Sequence, residues 1–246
     1  MKLADVRVTW LGHATFLIES PEGKRILVDP WLEDNPRCPK AFHDVESELI
    51  LVTHGHSDHT GSLVPAANRC AGPVVGMVEL MGWFGAHGLD PKATVGMNKG
   101  GTHHVSELKL TITMTDARHS SSVEDDAGNI IALGEPNGFI VGFSNGVKLY
   151  IAGDTCLIGD MQWIGTLWEP TAAILPIGDF YTMDPKAAAH AAKLTGVETV
   201  IPSHYGTFPV LSGTPDQLKK HLAALNLDVA VLVPEPGETV VLPTPR

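Results

Sequence analysis

Residues 49–61 read Leu-Ile-Leu-Val-Thr-His-Gly-His-Ser-Asp-His-Thr-Gly, and no other stretch constrains the chain as strongly. Leu49 to Thr53 have the character of a buried strand, and a glycine-containing loop follows them. Side chains alternate along a strand, so His54 and His56 leave its end on one side. Asp58 and His59 come next, on a loop able to curl back toward them. Three imidazoles and a carboxylate within six positions suit a borderline metal such as zinc, which takes nitrogen and oxygen ligands.

Composition bounds what can surround such a site. The chain has 246 residues, 43% hydrophobic and 18% charged, enough to bury a large core as one domain or two fused halves. Its formal net charge is −11 and no basic run occurs, which argues against a nucleic-acid groove and fits plain solubility. No apolar stretch approaches the ~18 residues that a membrane span needs. Met1-Lys2-Leu3-Ala4-Asp5 leads straight into an alternating strand, so no secretory leader is read there. Cys38, Cys70 and Cys156 are odd in number and widely spaced, as in a reducing compartment. The expected setting is therefore cytoplasmic, with a small-molecule substrate, no nucleic acid and no membrane; a homo-oligomer is compatible with the sequence.

Further candidates stand at other strand ends. Val6–Leu11 and Thr15–Glu19 alternate like paired strands around Gly12-His13-Ala14, and a third strand ends at Asp29-Pro30. Asp29 reads as a structural turn residue, whereas His13 suits a turn or a site equally. The chain then predicts a loop over 33–47, a helix over 62–70, a strand over 74–77 and a helix over 78–87. Residues 108–115 predict a strand leading to His119-Ser120-Ser121-Ser122, while 123–129 read as a solvated acidic loop. His119 gains weight because a three-ligand site needs one more imidazole from another strand.

A self-similarity follows. Phe16, Gly23 and Arg25 recur as Phe139, Gly146 and Lys148, with seven residues from Phe to Gly and nine from Phe to the basic residue in both copies. Two strand–turn–strand units at the start of each half suggest a pseudo-twofold fold. The second copy ends at Asp154, a carboxylate costly to bury without a cation and able to bridge two. A strand over 172–176 leads into a loop holding Phe180, Tyr181 and Asp184; Asp184 precedes Pro185 as the N-cap of a helix over 186–194. A strand over 199–201 delivers His204 and Tyr205, and a helix over 217–225 with strands over 229–233 and 239–242 closes the chain.

The set His54-x-His56-x-Asp58-His59, His119, Asp154 and His204 resembles the metallo-β-lactamase superfamily. Leu11-Gly12-His13, Val28-Asp29-Pro30, Met97-Asn98-Lys99-Gly100-Gly101-Thr102 and Leu175-Pro176-Ile177-Gly178-Asp179 are similar to its bacterial and archaeal metal-dependent hydrolases, a branch akin to the ascorbate-6-phosphate lactonase-like proteins. The resemblance spans essentially the whole chain, 1–246, and implies one α/β domain, an αβ/βα four-layer sandwich with two pseudo-symmetric halves. It implies that His54, His56 and His119 hold one metal, that Asp58, His59 and His204 hold a second, and that Asp154 bridges them. The two divalent ions would be zinc, with manganese, iron, nickel or cobalt as alternatives. A metal-bound hydroxide would then cleave an ester, lactone or phosphoester. Asp58 would also handle the proton, and His13 or Tyr205 would bind the oxyanion. Phe180 and Asp184 depart from the branch, and together with Tyr181 they are expected to shape the substrate pocket. A mononuclear iron oxygenase and a non-catalytic metal-binding protein are the competing readings; the complete ligand set opposes the first and Asp58 opposes the second.

Overall fold

The computed structural model describes residues 4–245; residues 1–3, where the leader reading begins, and Arg246 lie outside the described residues. Sixteen short strands build two large sheets and one small hairpin. In chain order they are β1 (Val6–Trp10), β2 (Phe16–Glu19), β3 (Arg25–Val28), β4 (Leu49–Leu51), β5 (Val74–Met77), β6 (Thr94–Met97), β7 (Thr102–Val105) and β8 (Leu110–Asp116). Then follow β9 (Ser122–Glu124), β10 (Ile130–Ala132), β11 (Asn137–Gly142), β12 (Lys148–Ile151), β13 (Ala172–Pro176), β14 (Thr199–Ser203), β15 (Ala230–Val231) and β16 (Thr239–Leu242). The helices are α1 (Ser57–Thr60), α2 (Leu63–Ala67), α3 (Val78–Ala86), α4 (Met161–Trp168), α5 (Pro185–Thr195) and α6 (Pro215–Ala224).

Strand alternation assigns residues to layers. In β12 and β13, Leu149, Ile151, Ala172 and Ile174 point into the core shared by the two sheets. Their neighbours Tyr150, Ala173 and Leu175 point the other way, into a second core with Ile164 of α4, Ala188 and Ala192 of α5, and Leu218 of α6. On the first sheet, Leu63, Leu80, Met81 and Phe84 bring α2 and α3 onto its strands. Sheets inside and helices outside give the αβ/βα sandwich expected from the sequence.

The internal repeat is structural. One sheet runs β16-β1-β2-β3-β4-β5-β6 and the other β7-β8-β11-β12-β13-β14-β15. From the β16 and β7 ends, both run through three antiparallel and then three parallel pairings. Phe16 pairs with Val28 and Phe139 with Ile151, so the two copies share their register. Gly23 and Gly146 turn the two hairpins with φ of 73° and 88°, a region open to glycine at no steric cost.

Several sequence expectations shift. The strand predicted from Leu108 starts at Leu110, because Ser106–Leu108 form a 3-10 turn closed by Lys109 at φ 54°. β6 and β7 pair with β5 and β8. The acidic segment expected to be solvated begins inside a strand: Val123 is buried, and β9 pairs with β10. The acidic run Glu124-Asp125-Asp126 hid that one inward-facing valine. α2 is shorter than the helix expected there, and the loop before it already holds the turn of α1. Asp184 caps α5, its carboxylate accepting from the Ala187 N–H at 2.7 Å, and Thr214 caps α6 in a capping box with Gln217. Among the described residues, no helix is long and apolar enough to cross a membrane.

Candidate metal centre

The ends of both parallel strand sets meet at one edge of the sandwich. Two backbone hydrogen bonds stitch the halves there: Asn137 N–H to the Thr53 carbonyl, and His204 N–H to the His13 carbonyl, each at 3.0 Å. Gly153 lies at this seam with φ 63°; a Cβ there would meet the Asn137 carbonyl oxygen at 2.8 Å. His13, Asp29 and His204 also adopt left-handed backbone, with φ between 46° and 55°. Such conformations are uncommon outside glycine and persist where surrounding structure holds them.

Seven of the candidates from the sequence converge, and His13 joins them. His54, His56 and His119 present ring nitrogens within 4.8 Å of one another; so do the donor atoms of His13, Asp58, His59 and His204, and those of His54, His59 and Asp154. Asp154 lies at the centre. Its Oδ2 is 3.1 Å from His204 Nε2, 3.4 Å from His59 Nε2 and 3.6 Å from His119 Nε2. Loops after strands of different sheets supply these groups, so only the closed sandwich assembles them.

The buried acid Asp29 orders the first ligands, a role its turn-like setting concealed. Its carboxylate accepts from the Thr53 N–H at 2.8 Å, from the Thr53 hydroxyl at 2.7 Å and from His59 Nδ1 at 2.8 Å. Because the Thr53 hydroxyl donates to Asp29, its oxygen is free to accept from His54 Nδ1 at 3.1 Å. One carboxylate thus fixes the Nδ1–H of both histidines and leaves each Nε2 facing the cluster. The signal in the sequence was the placement of Asp29 at the end of a strand; its parallel pairing beside β4 came only with the fold.

Electrostatics follow from burial and crowding. Burial pushes His54 well below the usual imidazole range, with His59 nearby acting the same way, and also lowers His56 and His119. Burial opposes a charge on His59, but the Asp154 and Asp29 carboxylates outweigh it and hold that ring well above its ordinary value. For Asp154, burial favours the neutral acid, while His59 and His204 overcome it and keep the carboxyl well below its usual range. His13 is driven down to about 4 by burial, against the pull of Asp58. Its 3.1 Å contact with Asp58 is therefore an N–H donated by a neutral ring to a carboxylate, with Nδ1 accepting from Thr207. Burial would raise the Asp58 carboxyl, but the His13 hydrogen bond and the His59 ring hold it well below the carboxylate range.

The donor set fits cations. His59 Nε2 and Asp154 Oδ1 are buried with no hydrogen-bond partner, an arrangement costly for polar atoms unless a ligand completes it. Imidazole nitrogens and ionised carboxylates in close mixture are what zinc and its neighbours in the first transition row accept.

Other expected residues sit elsewhere. Tyr205 belongs to none of the three groups: its ring stacks on Trp10 at 5.0 Å, and its charged neighbours are Glu235 and Arg37. An oxyanion role for it is not carried forward. Tyr181 lines the small cavity over the cluster, Phe180 packs edge-on against Tyr181 with 68% of its surface exposed, and Asp184 lines neither cavity near the site.

Two facing sheets, outer helices and a histidine–aspartate cluster at the strand ends define an αβ/βα sandwich built around a metal site. The chain belongs to the beta-lactamase superfamily domain family, whose profile matches residues 24–205. It is 48% identical over 244 residues to a UPF0173 metal-dependent hydrolase of Herpetosiphon aurantiacus, covering 98% of this chain and 100% of that one. A protein of the same description from Archaeoglobus fulgidus is 42% identical over 234 residues, covering 95% and 98%. Among solved structures, Igni18, described as a novel metallo hydrolase from the hyperthermophilic archaeon Ignicoccus hospitalis, superimposes with a TM-score of 0.84 at 34% identity. The match covers 98% of this chain and 99% of that one.

Proposed function

We propose that the protein is a metal-dependent hydrolase with a dinuclear centre, zinc being the first choice of metal, that cleaves an ester, lactone or phosphoester. The observation that carries this reading is Asp154: a buried carboxylate ringed by three imidazole Nε2 atoms, with one oxygen unpartnered. His54, His56 and His119 would hold one ion, Asp58, His59 and His204 the other, and Asp154 both. When bound, such ions polarise a substrate oxygen and bring the pKa of water toward ~7.

The chain's own residues divide the remaining work. Asp58 is ionised and its Oδ2 is steadied by the neutral His13 ring, so its carboxylate can accept a hydrogen from the attacking water and fix the water's orientation. His13 is wholly buried between Trp31, Phe208 and His204, so it acts on Asp58 as a positioning group. Asp29 and Thr53 keep the His54 and His59 rings turned toward the centre. The reading extends to one domain over 1–246 and to a cytoplasmic setting, supported by three free cysteines.

Metal analysis of the purified protein, paired with a panel of carboxylic esters, lactones and phosphodiesters, tests the proposal. Two equivalents of metal and turnover abolished by Asp154→Asn are expected. A stoichiometry of one would remove the dinuclear assignment, and metal-loaded protein silent across the panel would remove the hydrolase assignment.

A further inference from the structure

Beside the 240 Å³ cavity over the cluster lies a larger one of about 510 Å³, and the two share His56 and Asp58. The larger cavity is therefore a continuation of the site. Trp31, Trp83, Phe84, Val123, Ile130 and Phe208 form most of its apolar wall. Trp31 and Phe208 rest on the His13 ring with centroids 5.3 and 5.4 Å away, so this wall is anchored to the group that holds Asp58. Trp83 and Phe84 of α3, which line the same cavity, meet edge to face at 5.0 Å. The β9–β10 hairpin supplies Ile130, which leaves 79% of its surface open although it is a large aliphatic residue.

The charges of the lining are one-sided. No lysine or arginine lines either cavity among the described residues; the charged groups are Asp58, Glu124 and Asp154. A phosphate or carboxylate on the part of the substrate remote from the reacting bond would find no cation there, and Glu124 would repel it. Ligands bearing such groups are ordinarily met by arginine or lysine. Aromatic and branched aliphatic walls instead favour apolar groups, and a cavity of this size falls within the range that small-molecule sites occupy.

Resting on the hydrolase reading above, we propose that the substrate is a neutral ester or lactone bearing an aryl or extended alkyl group, and that this group lies among Trp31, Phe208, Trp83, Phe84 and Ile130. Substrates carrying an anionic group at that position, phosphorylated lactones included, are discriminated against.

The test uses the metal-loaded full-length protein and 4-nitrophenyl esters that share one leaving group: acetate, hexanoate, phenylacetate and the anionic hemiglutarate. Each buried methylene is worth roughly a three- to fourfold gain, so kcat/KM for hexanoate and phenylacetate should exceed that for acetate at least about tenfold. The hemiglutarate should fall at least about tenfold below hexanoate. Ile130→Glu, at an exposed position that the fold tolerates, and Phe208→Ala should each collapse the hexanoate-to-acetate ratio. Calorimetric binding of 3-phenylpropanol, which carries no hydrolysable bond, supplies a readout independent of turnover and should weaken at least about fivefold in both variants.

Hydrolysis with a flat or inverted acyl preference, or with the anionic ester preferred, overturns the inference and leaves the hydrolase reading standing. Binding of 3-phenylpropanol that depends on Ile130 and Phe208, with no ester hydrolysed, upholds the apolar subsite and overturns the carboxylic-ester part of the hydrolase reading. Neither hydrolysis nor binding overturns both the apolar subsite and the carboxylic-ester part of that reading.

Discussion

Asp29 shows how one buried carboxylate governs a site it does not enter. Its three hydrogen bonds give Thr53, His54 and His59 a single arrangement in which both ring Nε2 atoms face inward. Asn at this position keeps the left-handed backbone, which it adopts readily, but its amide offers donors where the Thr53 hydroxyl and His59 Nδ1 need acceptors. Asp29→Asn should therefore weaken metal binding by about 10- to 100-fold, read by competition with a chromophoric chelator; unchanged affinity would remove Asp29 from this role. His13 makes a second forecast. It stays neutral in the fold down to about pH 4, whereas an unfolded histidine takes up a proton near pH 6.5. Between those values the unfolded chain binds more protons, so stability rises with pH and is lost as pH falls from 6.5 to 4. The shift corresponds to roughly 3 kcal/mol across that window. The Asp58 carboxyl, held below 3.8, contributes its own loss only under the window. In denaturant titrations of chelator-treated protein, His13→Asn should show a shallower fall than wild type; parallel curves would contradict a buried neutral His13.

At the scale of elements, short strands deliver residues and helix caps hold the loops between them. The loop from Ile177 to Asp184 illustrates the division. Asp179 and Phe180 take left-handed backbone, Tyr181 reaches the cavity over the cluster, and Asp184 closes the loop by capping α5. Helix capping accounts for Asp184 without any contact with substrate. Asp184→Ala should cost about 1 kcal/mol in chemical denaturation, while Asp184→Ser should sit within a few tenths of wild type, because serine caps comparably well. Both variants should keep the wild-type ratio of kcat/KM for neutral and anionic substrates. A change in that ratio for Asp184→Ser alone would return the residue to the pocket.

For the whole molecule, the centre draws on both pseudo-symmetric halves: His54, His56, Asp58 and His59 follow β4, while His119, Asp154 and His204 follow β8, β12 and β14. Cations that join them bind only the closed sandwich and so stabilise it. At a hundredfold excess over Kd, each site adds about 2.7 kcal/mol. Removal of two such ions by a strong chelator should lower Tm by roughly 10 °C or more for a chain of this length. Scanning calorimetry with metal loss verified by elemental analysis checks this; an unmoved Tm would mean that the sandwich closes without help from the site.

The ligand types were legible in the sequence because metal chemistry restricts them to few residues, and because His54, His56, Asp58 and His59 are neighbours along one chain segment. The halves were legible for a similar reason: hairpin geometry is local, so Phe16 to Arg25 and Phe139 to Lys148 carry their register in their spacing. Capping of α5 by Asp184 was readable on the same grounds. What depends on closure was not. Asp29 looked like a turn residue until β3 lay beside β4, and His13 acquired its partner Asp58 from 45 positions away. Tyr205 follows His204 in the chain yet turns onto Trp10, since successive side chains leave the strand end in different directions. Val123 was masked by the acidic run that follows it, although it is the buried position of β9. Residue identity and local periodicity name the chemistry and the repeating unit; hydrogen-bond partners, tautomers and cavity walls arise from contacts between distant segments, and only the packing of one half on the other creates those.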